Sequence, residues 1–97
     1  MKKDFLGKTV VVTGGSAGTG LAIAHAFARR GASIGLLARG EDRLEAAARN
    51  LRARGTRVAA VRADVADPEQ LEHAASQIEN ELGPISVWVN NAMVSAF

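Results

Sequence analysis

Val10-Val11-Val12-Thr13-Gly14-Gly15-Ser16-Ala17-Gly18-Thr19-Gly20 joins a β-branched apolar run to a loop with glycines at 14, 15, 18 and 20. An alanine-rich segment follows. Its residues Gly20, Ile23, Ala24, Phe27 and Ala28 keep the i, i+3, i+4, i+7, i+8 spacing of one helix face. The order is strand, glycine turn, helix. Such a turn brings backbone N–H groups to a helix N-terminus, where the peptide dipoles favour negative charge, and so suits a pyrophosphate.

Outward from this loop the pattern keeps alternating. Residues 9–13 and 33–38 read as short buried strands, with Gly31 closing the first helix. Residues 41–54 read as a second helix with the stripe Leu44, Ala47, Ala48, Leu51 and an outer Glu45–Arg49 ion pair, ended by Gly55. A third strand is expected over 57–62. Asp67-Pro68-Glu69-Gln70 is a helix start: an acid at the N-cap, Pro at the first helical position, and Gln70 placed to complete a capping box. Leu71, Ala74, Ala75, Ile78 and Leu82 give that helix its apolar face, and Gly83-Pro84 stops it. A fourth strand is expected over 85–89, followed by Asn90-Asn91-Ala92.

Strands alternating with helices through short connections imply parallel pairing with right-handed crossovers. The expected fold class is α/β: a Rossmann-like, doubly wound parallel sheet of βαβαβαβ with strand order 3-2-1-4. Its switch point lies between strands 1 and 4, at their C-terminal ends. The 97 residues suffice for one domain, without internal repeat or linker. A net charge of +2, with arginines interleaved among acids, argues against a nucleic-acid partner. The absence of cysteine excludes disulfides and thiolate metal sites. Lys2-Lys3 precede an apolar run too short and too broken for a signal peptide, and no stretch approaches a membrane span, so a cytoplasmic protein is expected.

The glycine spacing is G-x-x-x-G-x-G, and no Lys-Ser or Lys-Thr pair follows it as a P-loop requires. A turn used only for strand-to-helix packing is the plain alternative. Three further positions bear on the choice. The end of strand two, where an acid would bind a ribose 2′-hydroxyl, holds Ala38-Arg39. An arginine there suits a 2′-phosphate, or is simply solvated at a helix entrance. Asp64-Val65 follows strand three, where a carboxylate can accept from an adenine amino group or only form a turn. Asn90-Asn91-Ala92 follows strand four, where amides can tie loops together, contact a cofactor, or make an Asx turn.

Together these features resemble the short-chain dehydrogenase/reductase family. Residues 13–20 are similar to its T-G-x-x-x-G-x-G loop, Asp64-Val65 to its adenine-contact pair, and Asn90-Asn91-Ala92-Met93 to its N-N-A-G motif. The resemblance implies a nicotinamide dinucleotide cofactor and oxidoreduction of a carbonyl/alcohol pair. It makes Gly14 the tight-turn glycine. Ser16 and Ala17 would line the adenosine phosphate side, Gly18 and Thr19 the pyrophosphate and nicotinamide side, and Gly20 the close helix-packing position. Arg39 matches the basic residue of NADP-preferring members, and Ala38 stands where NAD-preferring members hold Asp; NADP is therefore expected over NAD. Asp64, Val65 and Asn91 fall on adenosine-pocket positions, and Ala92, next in the motif, is a further cofactor-binding position. Thr19 replaces the usual Ile, and Met93 replaces the last motif glycine.

The family's catalytic residues are a Tyr, a Lys four positions later, and an upstream Ser and Asn. The chain has no tyrosine, and its lysines are Lys2, Lys3 and Lys8. No catalytic residue is therefore expected, and no metal ligand either. His25 and His73 read as mid-helix surface residues, with Glu69 one turn before His73. The chain reads as the cofactor-binding, N-terminal part of a longer reductase. The competing reading is a non-catalytic Rossmann-like binding module. The edge of strand four, left bare, would then be a surface for self-association. A methyltransferase with a similar glycine loop is disfavoured by Ala38-Arg39.

Overall fold

The computed structural model describes residues 3–91. The chain runs β1 (Thr9–Thr13), α1 (Gly18–Arg29), β2 (Ser33–Ala38), α2 (Glu41–Ala53), β3 (Val58–Arg62), α3 (Pro68–Leu82) and β4 (Ile85–Asn90). The four strands form one parallel sheet in the order β3-β2-β1-β4, as the alternating pattern predicts. β1 is buried along its whole length, which explains why it reads as an unbroken apolar run.

Each sheet face carries its own core. Val10, Val12, Ile34 and Leu36 pack with Ala24 of α1 and with Leu44, Ala47, Ala48 and Leu51 of α2. On the other face Val11, Leu37 and Ala59 pack with Ala74 and Ile78 of α3. Gly35 of β2 is required there: a Cβ at that position would lie 2.9 Å from two carbons of Ile78. The missing side chain lets α3 sit close on the sheet.

The element bounds differ slightly from the expected ones. α1 starts at Gly18, two residues before its apolar stripe, because the Leu21 amide already donates to the Ala17 carbonyl at 3.5 Å. β4 continues through Asn90, whose Cα pairs with that of Thr13. Arg57 lies outside β3, and its guanidinium donates to the Glu81 carbonyl at the end of α3. Two side-chain expectations are corrected. Glu45 and Arg49 form no ion pair; both are exposed, so little favours holding them together. Gln70 does not close the capping box onto the Asp67 amide. Its Oε1 accepts from the Asp64 amide at 2.9 Å, because the Asp67 amide already donates to the Asp64 carbonyl. The Asp67 half of the cap is present, with its carboxylate accepting from the Glu69 and Gln70 amides.

The N-terminal segment is fastened to the base of α1. Arg30 pairs with Asp4, lies 4.9 Å above the Phe5 ring, and Phe5 meets Phe27 edge-to-face. The guanidinium hydrogen bond lowers the Asp4 pKa from its ordinary value and raises that of Arg30.

Candidate cofactor site at the carboxyl edge of the sheet

Because all four strands are parallel, the glycine loop, Arg39, Asp64 and Asn91 share the C-terminal edge of the sheet. Gly14 has φ +67 and Gly18 φ +57, the left-handed region that glycine adopts without cost. Gly20 is glycine for a different reason: a Cβ there would stand 2.1 Å from the Gly14 carbonyl oxygen and 2.7 Å from Asn91 Nδ2. Gly15 is held the same way by Leu36 and the Val12 carbonyl. The loop is thus packed tightly on its inner side. On its outer side a Cβ at Gly18 would meet nothing within 4 Å.

The start of α1 is electrostatically bare. Its N-cap, Ala17, offers no side-chain acceptor, and its first turn contains no acid. The amides of Gly18, Thr19 and Gly20 donate to no acceptor among the described residues. α3 shows the contrast, with an Asp67 cap and Glu69 in its first turn. A helix start with free amides and no competing carboxylate can receive an anion from outside.

The switch point between β1 and β4 is laced by Thr13. Its hydroxyl accepts from the Asn91 amide at 2.9 Å and donates toward Asn90 Oδ1 at 3.1 Å, with the Val89 carbonyl at 3.4 Å. Asn91 Nδ2 donates to the Gly14 carbonyl at 3.5 Å, which ties the end of β4 to the glycine loop. The Thr13 hydroxyl is the link between the glycine-loop and Asn90-Asn91 motifs. Ala92 and Met93 lie outside the described residues.

Arg39 and Asp64 line a common cavity of about 600 Å³, together with Gly40, Arg62, Ala63 and Gln70. Asp64 also builds its own turn: Oδ1 accepts from the Ala66 amide at 3.0 Å. Val65 turns partly inward against the α3-side core. The glycine loop does not line this cavity, so the site has two parts, one at β1 and β4 and one beyond β2 and β3. Ser16 is half-buried, while Ala17, Gly18 and Thr19 are exposed. Arg62 and Gln70 escaped the sequence reading. Arg62 looks like the last residue of a strand and Gln70 like a capping residue, and no local pattern announces that either reaches this cavity.

The histidines stand apart from the site. Burial, then the charges of Arg54 and Arg29, lower the His25 pKa from its ordinary value. His73 is exposed and makes no hydrogen bond with Glu69. No group of three potential metal ligands forms among the described residues, and no described helix is long and apolar enough to cross a membrane.

This arrangement recurs in known proteins. A family model described as short chain dehydrogenase matches residues 8–97. A short chain dehydrogenase of Pseudocercospora fijiensis is 39% identical over 89 residues, which cover 92% of this chain and 29% of the relative. The 1-deoxy-11-beta-hydroxypentalenate dehydrogenase of Streptomyces exfoliatus is 44% identical over 87 residues, covering 90% of this chain and 32% of that one. Among solved structures, L-sorbose reductase from Gluconobacter frateurii, complexed with NADPH and L-sorbose, superposes with a TM-score of 0.91 at 43% identity. That match covers 99% of this chain and 37% of the reductase. The chain thus spans about a third of the length of these relatives. With nearly its whole length matched by the family model and the loop, sheet order and Thr13–Asn91 link in place, the chain belongs to the short-chain dehydrogenase family.

Proposed function

We propose that the chain is the dinucleotide-binding part, residues 1–97, of a longer short-chain oxidoreductase acting on a carbonyl/alcohol pair, and that it prefers NADP(H). The observation that carries this reading is the uncapped, acid-free start of α1 behind an open glycine loop, on the same sheet edge as the Arg39 cavity. The free amides suit a pyrophosphate, and Arg39 suits a 2′-phosphate where an acid would suit a 2′-hydroxyl. Gly14, Ser16, Ala17, Gly18, Thr19 and Gly20 would hold the phosphates. Asp64, Val65 and Asn91 would form the adenosine pocket, and Ala92, next in the same motif, would contact the cofactor with them. Asp64 Oδ2 makes no hydrogen bond among the described residues, so a carboxylate oxygen is available there. NADPH in the L-sorbose reductase structure and in that of a metagenomic blue fluorescent protein supports the cofactor choice. Lacking tyrosine, these residues do not supply the family's proton donor, and binding is the role assigned to them. A cytoplasmic setting belongs to the same reading.

Thermal melting with each cofactor tests it. NADPH should raise the melting temperature more than NADH does, and Arg39→Asp should remove or invert that difference. Equal shifts with the two cofactors would defeat the NADP assignment. No shift with either would defeat the dinucleotide reading.

One observation favours a second reading, a non-catalytic pairing module: among the described residues β4 has a strand neighbour on one side only. A discrete dimer of the 97-residue chain that does not respond to either dinucleotide would support it.

A further inference from the structure

Arg62 is the last residue of β3 and is exposed. Its Cα pairs in register with that of Ala38, which immediately precedes Arg39. Its Nε donates to the Arg39 carbonyl oxygen at 3.1 Å. That bond fastens the β2–α2 turn to β3 and fixes the backbone from which the Arg39 side chain departs. It also engages one of the five guanidinium donors and leaves both terminal amino groups without a partner among the described residues.

Both arginines line the 600 Å³ cavity, and neither is paired with a carboxylate among the described residues. Asp64 is the one carboxylate on its lining, and Oδ1 of that group is occupied by the Ala66 amide. Two guanidinium groups at one small polar cavity suit a doubly charged group with several acceptor oxygens better than a neutral hydroxyl. The need for a second cation is reinforced by α2, which opens with Glu41 and Asp42 directly after Gly40. Arg39 by itself would face an anion with two acids close behind it in sequence.

We infer that Arg62 is a specificity-determining residue: it orients Arg39 through the Arg39 carbonyl and supplies a second guanidinium to the 2′-phosphate of NADP(H). This rests on the dinucleotide reading above. The competing account is a structural clamp that only holds the turn.

Dissociation constants for NADPH and NADH, measured on the wild-type chain, Arg62→Gln and Arg62→Lys, separate the two, with circular dichroism melts as a control on folding. Arg62→Gln is expected to weaken NADPH about tenfold, the loss of a charge-assisted hydrogen bond, while NADH changes by less than about twofold. Arg62→Lys keeps the charge but loses the planar fork, so NADPH should fall between the two. Equal weakening of both cofactors in Arg62→Gln, or no weakening of NADPH, overturns the inference and leaves the dinucleotide reading intact. Wild-type chain that binds neither cofactor overturns both. If Arg62→Gln melts below the assay temperature, the Lys variant decides, and NADPH affinity equal to wild type in that variant overturns the inference.

Discussion

The glycines of the loop answer to different constraints, and substitution should separate them. Gly20→Ala forces a Cβ to within 2.1 Å of a backbone oxygen, a clash that no rotamer relieves. Gly18→Ala meets open space and bears only the left-handed backbone at φ +57. Gly20→Ala is therefore expected to destabilise the chain by about 3 kcal/mol, at the upper end for overpacking. Gly18→Ala should cost about 1–2 kcal/mol. Urea unfolding midpoints would rank the two, and the reverse order would contradict the packing described for Gly20. The spacing of Gly14, Gly18 and Gly20 was visible in the sequence, but the reasons were not. A positive φ and a 2.1 Å approach look alike as the letter G. Arg39 and Asp64 were visible because Arg39 directly follows β2 and Asp64 lies two residues after β3. Arg62 was hidden because a charged last residue of a strand is usually just solvated. Only the register with Ala38 brings it to the cavity.

Among the elements, α1 and α3 begin in opposite ways, and this difference bears on function. α3 satisfies its own first amides through Asp67, whereas α1 leaves its amides open. Asp67→Ala should cost about 1 kcal/mol, the usual value of an N-cap, readable as a lowered denaturation midpoint. It should also loosen the Asp64 turn, since Gln70 bonds both the Asp67 carboxylate and the Asp64 amide. The strands and helices themselves were legible from periodicity, including the full stripe of α2, all four residues of which are buried. The sequence did not disclose which partner a polar side chain selects when two lie within reach. Gln70 is the example: the capping-box spacing is satisfied, yet the Asp67 amide is already engaged by a carbonyl and the glutamine turns to the next free donor. Glu45 and Arg49 show the same limit, with correct spacing and no pair.

For the molecule as a whole, the decisive asymmetry is between the two flanks of the sheet. β1 is covered on both faces, while β4 alternates half-buried and exposed residues and lies at the sheet margin. Trp88 pairs in register with Val11, on the face that α3 covers, yet remains 37% exposed because α3 lies chiefly over β2 and β3. An open strand with an apolar face favours association. The 97-residue chain studied in isolation is therefore expected to self-associate as its concentration rises, and Trp88→Lys should shift it toward monomer. Sedimentation velocity would read both, and a wild-type chain that stays monomeric at high concentration would refute the expectation. Trp88 is also the sole tryptophan in a sequence without tyrosine. The emission spectrum of the chain is accordingly a single-site optical readout of this flank. A blue shift would register the arrival of any strand, helix or second copy that strips water from the β4 side of the sheet, without a label.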